Sequence, residues 1–145
     1  MDVNSQICPC RSGSSYIDCC ERIHNNINLA NNALELMRSR YVAFVYQNGD
    51  FLELSHHPST RFNFSKRKTM KWAKSVNWLK LEIISFSELT EVNATVLFKA
   101  FYIEKGKIEF IYEHSTFTKD LGYWTYVDYL SIYCCDRHRS QRFRH

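Results

Sequence analysis

The stretch "CPCRSGSSYIDCC", residues 8–20, holds four of the six cysteines in the chain. Two pairs stand at its ends, Cys8-x-Cys10 and the adjacent Cys19-Cys20. Zinc takes thiolates at the corners of a tetrahedron, and two such pairs joined by a tight turn can wrap one ion. Pro9 stiffens the first pair, and Ser12-Gly13-Ser14-Ser15 supplies turn chemistry, with Gly13 free to adopt positive φ. Eight residues separate Cys10 from Cys19, room for a turn and the start of a helix. A closed site of four thiolates leaves no position for water, so it reads as structural or adhesive, not catalytic. Four thiolates also suit iron, so the choice between zinc and iron stays open. The redox readings are weaker. A vicinal Cys19–Cys20 disulfide would be strained, and a thioredoxin-like site wants Cys-x-x-Cys within a βαβ pattern, which the chain lacks. His24, four residues past Cys20, could serve as a spare ligand, but with four thiols present it reads as an ordinary surface histidine.

The chain around this stretch has 145 residues, 45% hydrophobic and 15% aromatic, with few glycines and prolines. That composition fits one domain with a real core plus a small appendage, and it excludes fibrous and disordered classes. The first twenty residues contain no apolar signal segment, and no run approaches the roughly 18 apolar residues of a membrane span. The expectation is therefore a cytoplasmic protein with no membrane contact. Thiols stay reduced in that compartment, which favours metal over disulfide. Net charge is +4, and the tail "DRHRSQRFRH" sets Arg137, Arg139, Arg142 and Arg144 against Asp136. Such a tail could meet phosphate or an acidic surface, though it reads first as a solvated terminus.

After the polar connector "ERIHNNINLANN", Asn32 and Glu35 have capping-box spacing and open a helix. Leu36, Met37, Tyr41, Phe44 and Val45 follow on one face, and Gly49 is expected to stop it. "DFLELSHH" predicts a second short helix ended by Pro58. "RFNFSKRKTMKWAKS" predicts a third, turning Met70 and Trp72 inward and Lys66, Arg67, Lys68, Lys71 and Lys74 to solvent. From Trp78 the period changes. "WLKLEIISF", "ATVLFKAFYIE", "KIEFIYEHSTFTK" and "YWTYVDYLSIY" alternate, and polar turns join them. Helices first and long strands later give an α+β fold, with helices on one face of a four-stranded antiparallel meander. A long twisted sheet curving around a helix makes a cone, the place for a ligand. Trp72, Trp78 and Trp124 read as core.

Cys-x-Cys-x-Ser-Gly-x(5)-Cys-Cys resembles the SEC-C motif, the small zinc-binding element at the C-terminus of many SecA translocase motors. The match holds at Cys8, Cys10, Cys19 and Cys20, at Pro9, at Ser12-Gly13 and at Tyr16; the usual Gly after the second Cys is Arg11 here. A second resemblance covers most of the remaining chain. "ALELMRSRYVAFVYQNGDFLELSHHPSTR", "WLKLEI" and "YEHSTFTKDLGYWTYVD" are similar to the YchJ (UPF0225) family. That family joins an N-terminal SEC-C element to a domain like nuclear transport factor 2 (NTF2-like). The resemblance implies an NTF2-like cone and the division 1–24 knuckle, 28–133 NTF2-like domain and 134–145 basic tail. The family's motif residues fall on Met37 to Tyr41, on His57-Pro58, on Trp78 and Glu82, on Glu113, Ser115 and Phe117, and on Trp124, Tyr126 and Asp128. Two departures concern histidine chemistry. Tyr112 stands where a His usually precedes that Glu, and His56 stands where a Trp usually precedes His-Pro. Cys134, Cys135 and His138 hint at a remnant of a second element that many members carry, but its Cys-x-Cys half is missing.

The polar residues Arg38, Arg40, His57, Glu113, His114 and Asp128 form the candidate cavity set. One reading has an arginine clamping Glu113 or Asp128 and pinning helix to sheet. The other has His57 as a general base oriented by Glu113, acting on a small ligand in the cone. No phosphate-binding loop, dinucleotide fingerprint or nucleophile elbow is present. The resemblance favours a binding or adaptor module, with the zinc knuckle docking on an acidic protein or an RNA-rich partner such as the ribosome. The domain would hold a ligand or pair with a second copy. An empty polar cone with His57 inside would favour the enzyme; a filled one would favour the adaptor.

Overall fold

The structure is a computed structural model that describes residues 6–134; Cys135, His138 and the basic tail lie outside the described residues. Helix α1 (Cys20–Asn25) and a 3₁₀ turn (Ile27–Leu29) lead into α2 (Ala33–Val45). The Asn32 side chain accepts from the Glu35 N–H at 2.8 Å and starts α2. The Glu35 carboxylate returns to the Asn31 N–H at 3.2 Å, a capping box displaced by one residue.

Gly49 does not stop α2. The helix ends at Val45, and the chain reverses at Gln47, whose φ of 59° is left-handed. Asn48 then caps α3 (Gly49–Leu54) by accepting from the Phe51 N–H at 3.1 Å. Gly49 serves close packing instead, because a Cβ there would lie 2.9 Å from Lys66 Cγ and 3.0 Å from Met70 Cγ. Those atoms belong to α4 (Lys66–Ser75), capped by Ser65. Trp72 and Ala73 of α4 are buried, Met70 is partly buried, and its basic residues face solvent. Helix α3 stops short of Pro58 because the backbone at Ser55–His57 extends to pair with Tyr126. Tyr126 N donates to Ser55 O at 2.8 Å, and His57 N donates to Tyr126 O at 2.7 Å.

Strands β1 (Asn77–Glu88), β2 (Asn93–Glu104), β3 (Lys107–Thr118) and β4 (Thr125–Cys134) form one antiparallel meander in that order. Alternation decides the faces. Leu81, Val96, Phe98, Ala100, Tyr102, Ile111 and Phe117 are buried under the helices. Register shifts in β1 and β4 bend the sheet around α2, which touches β1, β2 and β4. Trp72 stands edge-on to Trp78 at 5.4 Å and to Tyr102 at 5.5 Å, and Trp78 meets Phe44 of α2 at 5.8 Å. The α+β architecture expected from the change of period is the one observed.

Two substitutions separate the roles at the α2–α3 junction. Gln47→Gly should raise stability by roughly 0.5–1 kcal/mol, because glycine meets a left-handed φ without a Cβ clash. Gly49→Val should lower it by about 1–3 kcal/mol through overpacking against α4. Urea denaturation of both variants checks this.

Candidate metal centre and the closed cone

The Sγ atoms of Cys8, Cys10, Cys19 and Cys20 all lie within 4.8 Å of one another. A tetrahedral ion holding thiolates at about 2.3 Å sets its sulfurs roughly 3.8 Å apart. Cys10 and Cys19 are at 3.6 Å, and Cys19 and Cys20 at 3.9 Å. The donor set and its spacing therefore suit one soft or borderline cation. Backbone bonds hold the pairs in place: Arg11 N donates to Cys8 O at 3.0 Å and Cys8 N to Ser14 O at 2.8 Å. Arg11 has φ 65° and Gly13 φ 95°. The left-handed turn at Arg11 is the physical reason a glycine suits that position, and arginine there costs about 1 kcal/mol. The Ser12 hydroxyl lies 3.1 Å from Cys19 Sγ.

The thiols are strongly coupled. Hydrogen bonding from Cys20 and Cys8 draws Cys10 down toward the thiolate. Bonding to Cys10 pushes Cys8 up to about 12, and the same bond with burial pushes Cys20 up. Four thiolates in so small a volume would need a cation between them, and binding one would convert mutual repulsion into folding free energy.

The knuckle is locked to the larger domain. Arg38 reaches from α2 to donate to Cys10 O at 2.5 Å. His24 is half-buried, not an ordinary surface histidine. Its Nε2 donates to the Ser39 carbonyl at 2.7 Å, which leaves Nδ1 to accept from the Tyr16 hydroxyl at 2.7 Å. The imidazole packs on Phe51 at 4.7 Å, and burial holds its pKa below the usual range. Tyr16 stands edge-on to Tyr46 at 4.8 Å. Cys8, Cys10, Tyr16, Cys20 and Ile23 join the same core as Leu36 and Leu52. There is no break in packing between the knuckle and the helices that follow.

The cone is nearly full. Its cavity measures about 20 Å³, lined among others by Arg40, His56, Phe64, Trp78, Glu113 and Tyr126. That is room for a single water. Of the expected cavity set, Arg40 and Glu113 face this space. Glu113 is 1% exposed, and its carboxylate accepts from the Ser115 hydroxyl. Burial pushes its pKa up to about 7, opposed by the Ser115 bond and the Arg40 charge. Arg40 is itself drawn down to about 10 by burial. It makes no ion pair among the described residues. It donates to Leu52 O at 3.0 Å and Ser55 Oγ at 2.6 Å, and its guanidinium lies over the Tyr126 ring at 4.7 Å. The arginine thus pins α2 to α3 and leaves the carboxyl to the Ser115 and Tyr126 hydroxyls.

The other expected cavity residues lie elsewhere. Arg38 serves the knuckle. His114 pairs across the sheet with Leu97 and Ser131, on the face opposite Glu113. Asp128, half-buried on β4, accepts from the Tyr129 N–H at 2.8 Å. His57 stands outside the cone, with Nε2 at 2.9 Å from Asp120 and Nδ1 at 2.8 Å from Ser59 Oγ. The order serine, histidine, aspartate invites a nucleophilic reading. However, the Ser59 backbone N–H also donates to Nδ1 at 3.1 Å, so the pair closes a local turn. The imidazole ties that turn to the β3–β4 loop. His56 is the histidine that faces the cavity, edge-on to Tyr126 at 5.2 Å and bonded to Thr60 at 3.1 Å. Its signal was the departure at that position, where His56 stands in place of the tryptophan that the resemblance implies.

A family model described as the middle NTF2-like domain of YchJ matches residues 32–129. A UPF0225 protein of Haemophilus influenzae (strain PittEE) is 36% identical over 124 residues, covering 86% of this chain and 78% of the relative. One from Shewanella sp. (strain MR-4) is 36% identical over 128 residues, covering 83% of this chain and 77% of its own. A crystal structure of a SEC-C motif containing protein from Psychrobacter arcticus superposes with a TM-score of 0.78 at 27% identity, covering 88% of this chain and 84% of that one. The solution structure of a SEC-C motif containing protein from Rhodopseudomonas palustris also gives 0.78, at 28% identity, covering 89% of this chain and 98% of that one.

The raised Glu113 pKa makes a signed prediction. The carboxyl titrates near its ordinary 4.5 when unfolded and near 7 when folded, so its contribution is fully present at acid pH and is lost as pH rises through 7. Between about pH 5.5 and about pH 8 the loss is roughly 2 kcal/mol. Glu113→Gln should remove that slope and be the more stable protein at the alkaline end. Paired urea titrations at the two pH values check it.

Proposed function

The chain belongs to the YchJ (UPF0225) family, and from that premise we propose that it is a zinc-stabilised binding module and not an enzyme of its cone. One observation carries the reading. The cone leaves about 20 Å³, and the histidine best placed by sequence to act as a base lies outside it, bonded to Asp120. A substrate has no room beside Glu113, and a closed four-thiolate site offers no open coordination position.

Binding then falls to the outer surface of the knuckle. Ile7 is 64% and Ile17 47% exposed, beside the exposed Arg11 and Arg22. An open groove of about 500 Å³ runs between the knuckle and the start of β1, lined by Ile7, Pro9, Arg11, Trp78 and Leu79 among others. Its apolar floor under a guanidinium suits an acidic segment of a partner protein or an RNA-rich surface such as the ribosome. Zinc is the ion of choice for a closed tetrahedral thiolate site without redox duty, and a cytoplasmic setting keeps its ligands reduced. No helix among the described residues is long and apolar enough to cross a membrane.

Co-sedimentation with purified ribosomes tests this. The metal-loaded chain should pellet with ribosomes at low salt, and an Arg11→Glu, Arg22→Glu variant should remain in the supernatant. Wild-type protein that stays in the supernatant at every salt concentration would contradict ribosome docking.

A further inference from the structure

The helices cover one face of the sheet; the other carries a second pattern. Register sets Lys80, Phe101 and Phe110 side by side across β1, β2 and β3. The next row is Glu82, Lys99, Tyr112 and Tyr133. The rings form a continuous strip: Phe101 lies 5.7 Å from Phe110, and Phe110 lies 5.6 Å from Tyr133 at an interplanar angle of 33°. The Lys80 ammonium is 4.9 Å from the Phe101 centroid, and that of Lys99 is 5.3 Å from Phe110 and 5.2 Å from Tyr112. Tyr133 is 56% and the neighbouring Ile108 71% exposed, while Phe101, Phe110 and Tyr112 are half-buried by one another. Core packing needs none of these rings, since Tyr102, Ile111 and Phe117 fill the covered face.

We propose that this face binds single-stranded nucleic acid. Exposed aromatic rings on a four-stranded antiparallel sheet offer π-faces on which unpaired bases stack, and interleaved lysines meet the phosphates. Each ammonium now rests on a ring and can swing to a phosphate while a base takes its place. The charge has the right sign. Lys80 is shared with Glu82 at 2.8 Å, but Lys99 forms no ion pair among the described residues. The chain carries +4, of which the four arginines and one aspartate after β4 supply most. Base-paired duplex hides the faces that the rings would take. The surface is separate from the knuckle groove, so the inference stands or falls independently of docking there.

Fluorescence anisotropy of a labelled twelve-nucleotide oligouridine, titrated with the full metal-loaded chain, tests it. Binding should be salt-dependent. Phe110→Ala should weaken it about tenfold. Phe110→Leu, which keeps an apolar side chain but removes the ring, should do nearly the same with the fold intact. Lys99→Ala should reduce the slope of log K against log salt by about 0.7. Lys68→Glu, Lys71→Glu on α4 should leave affinity within about twofold. The inference is overturned by no anisotropy change, by binding that the Phe110 variants leave intact while the α4 reversal abolishes it, or by a sedimenting dimer that Phe110→Asp dissolves.

Discussion

Four sulfurs held within 4.8 Å of one another are the constraint on which the rest depends. Unscreened, they repel once ionised; around a cation they would become a tether for the N-terminal segment. Thirteen residues cannot build a core of their own, so a bound ion would add to the shared packing in ordering the turn at Arg11 to Gly13. The ordered turn presents the Cys10 carbonyl to Arg38 and seats Tyr16 against His24. Both contacts end on α2, through Arg38 itself and through the Ser39 carbonyl. The same turn of the helix supplies Arg40, which fixes α3 and lies over Tyr126. One helix thus carries the order imposed at the metal site into the floor of the cone.

The cone shows what that order costs and where function is left. Glu113 is buried beside an arginine that bonds elsewhere, and it is held near neutrality by burial instead of being paired. Such a group is more expensive ionised than protonated, so it specifies the interior without strengthening it at alkaline pH. Aromatic rings close the space above it. Chemistry on a ligand would require that lid to lift. The knuckle groove and the aromatic outer face of the sheet are open as they stand.

Much of this was legible from residue types and spacing. The paired cysteines marked the four-thiol cluster, the candidate metal centre, because ligand chemistry is local. The strands announced themselves by alternation, and Asn32 announced α2. The errors share a cause, which is direction. Arg38 and Arg40 sit two residues apart, about 200° around a helix, so one serves the knuckle and the other the cone. Glu113 and His114 are neighbours on a strand and face opposite sides. His56 and His57 are neighbours on an extended segment, and only its pairing with Tyr126 decides which turns inward. Gly49 resembled a helix stop because glycine commonly is one, but the contact that requires it comes from α4, seventeen and more residues on. A single chain does not display that contact.

The central claim is that the metal site holds the cone, not the knuckle alone. The direct measurement is metal content together with near-ultraviolet circular dichroism of the cone tryptophans during urea unfolding, before and after chelation and in a Cys8→Ser, Cys10→Ser variant. Coupling through α2 predicts one ion per chain and a cone that unfolds at clearly lower urea once the ion is removed. A tryptophan transition unchanged by chelation and by the variant would contradict it, and would make the knuckle an independent appendage.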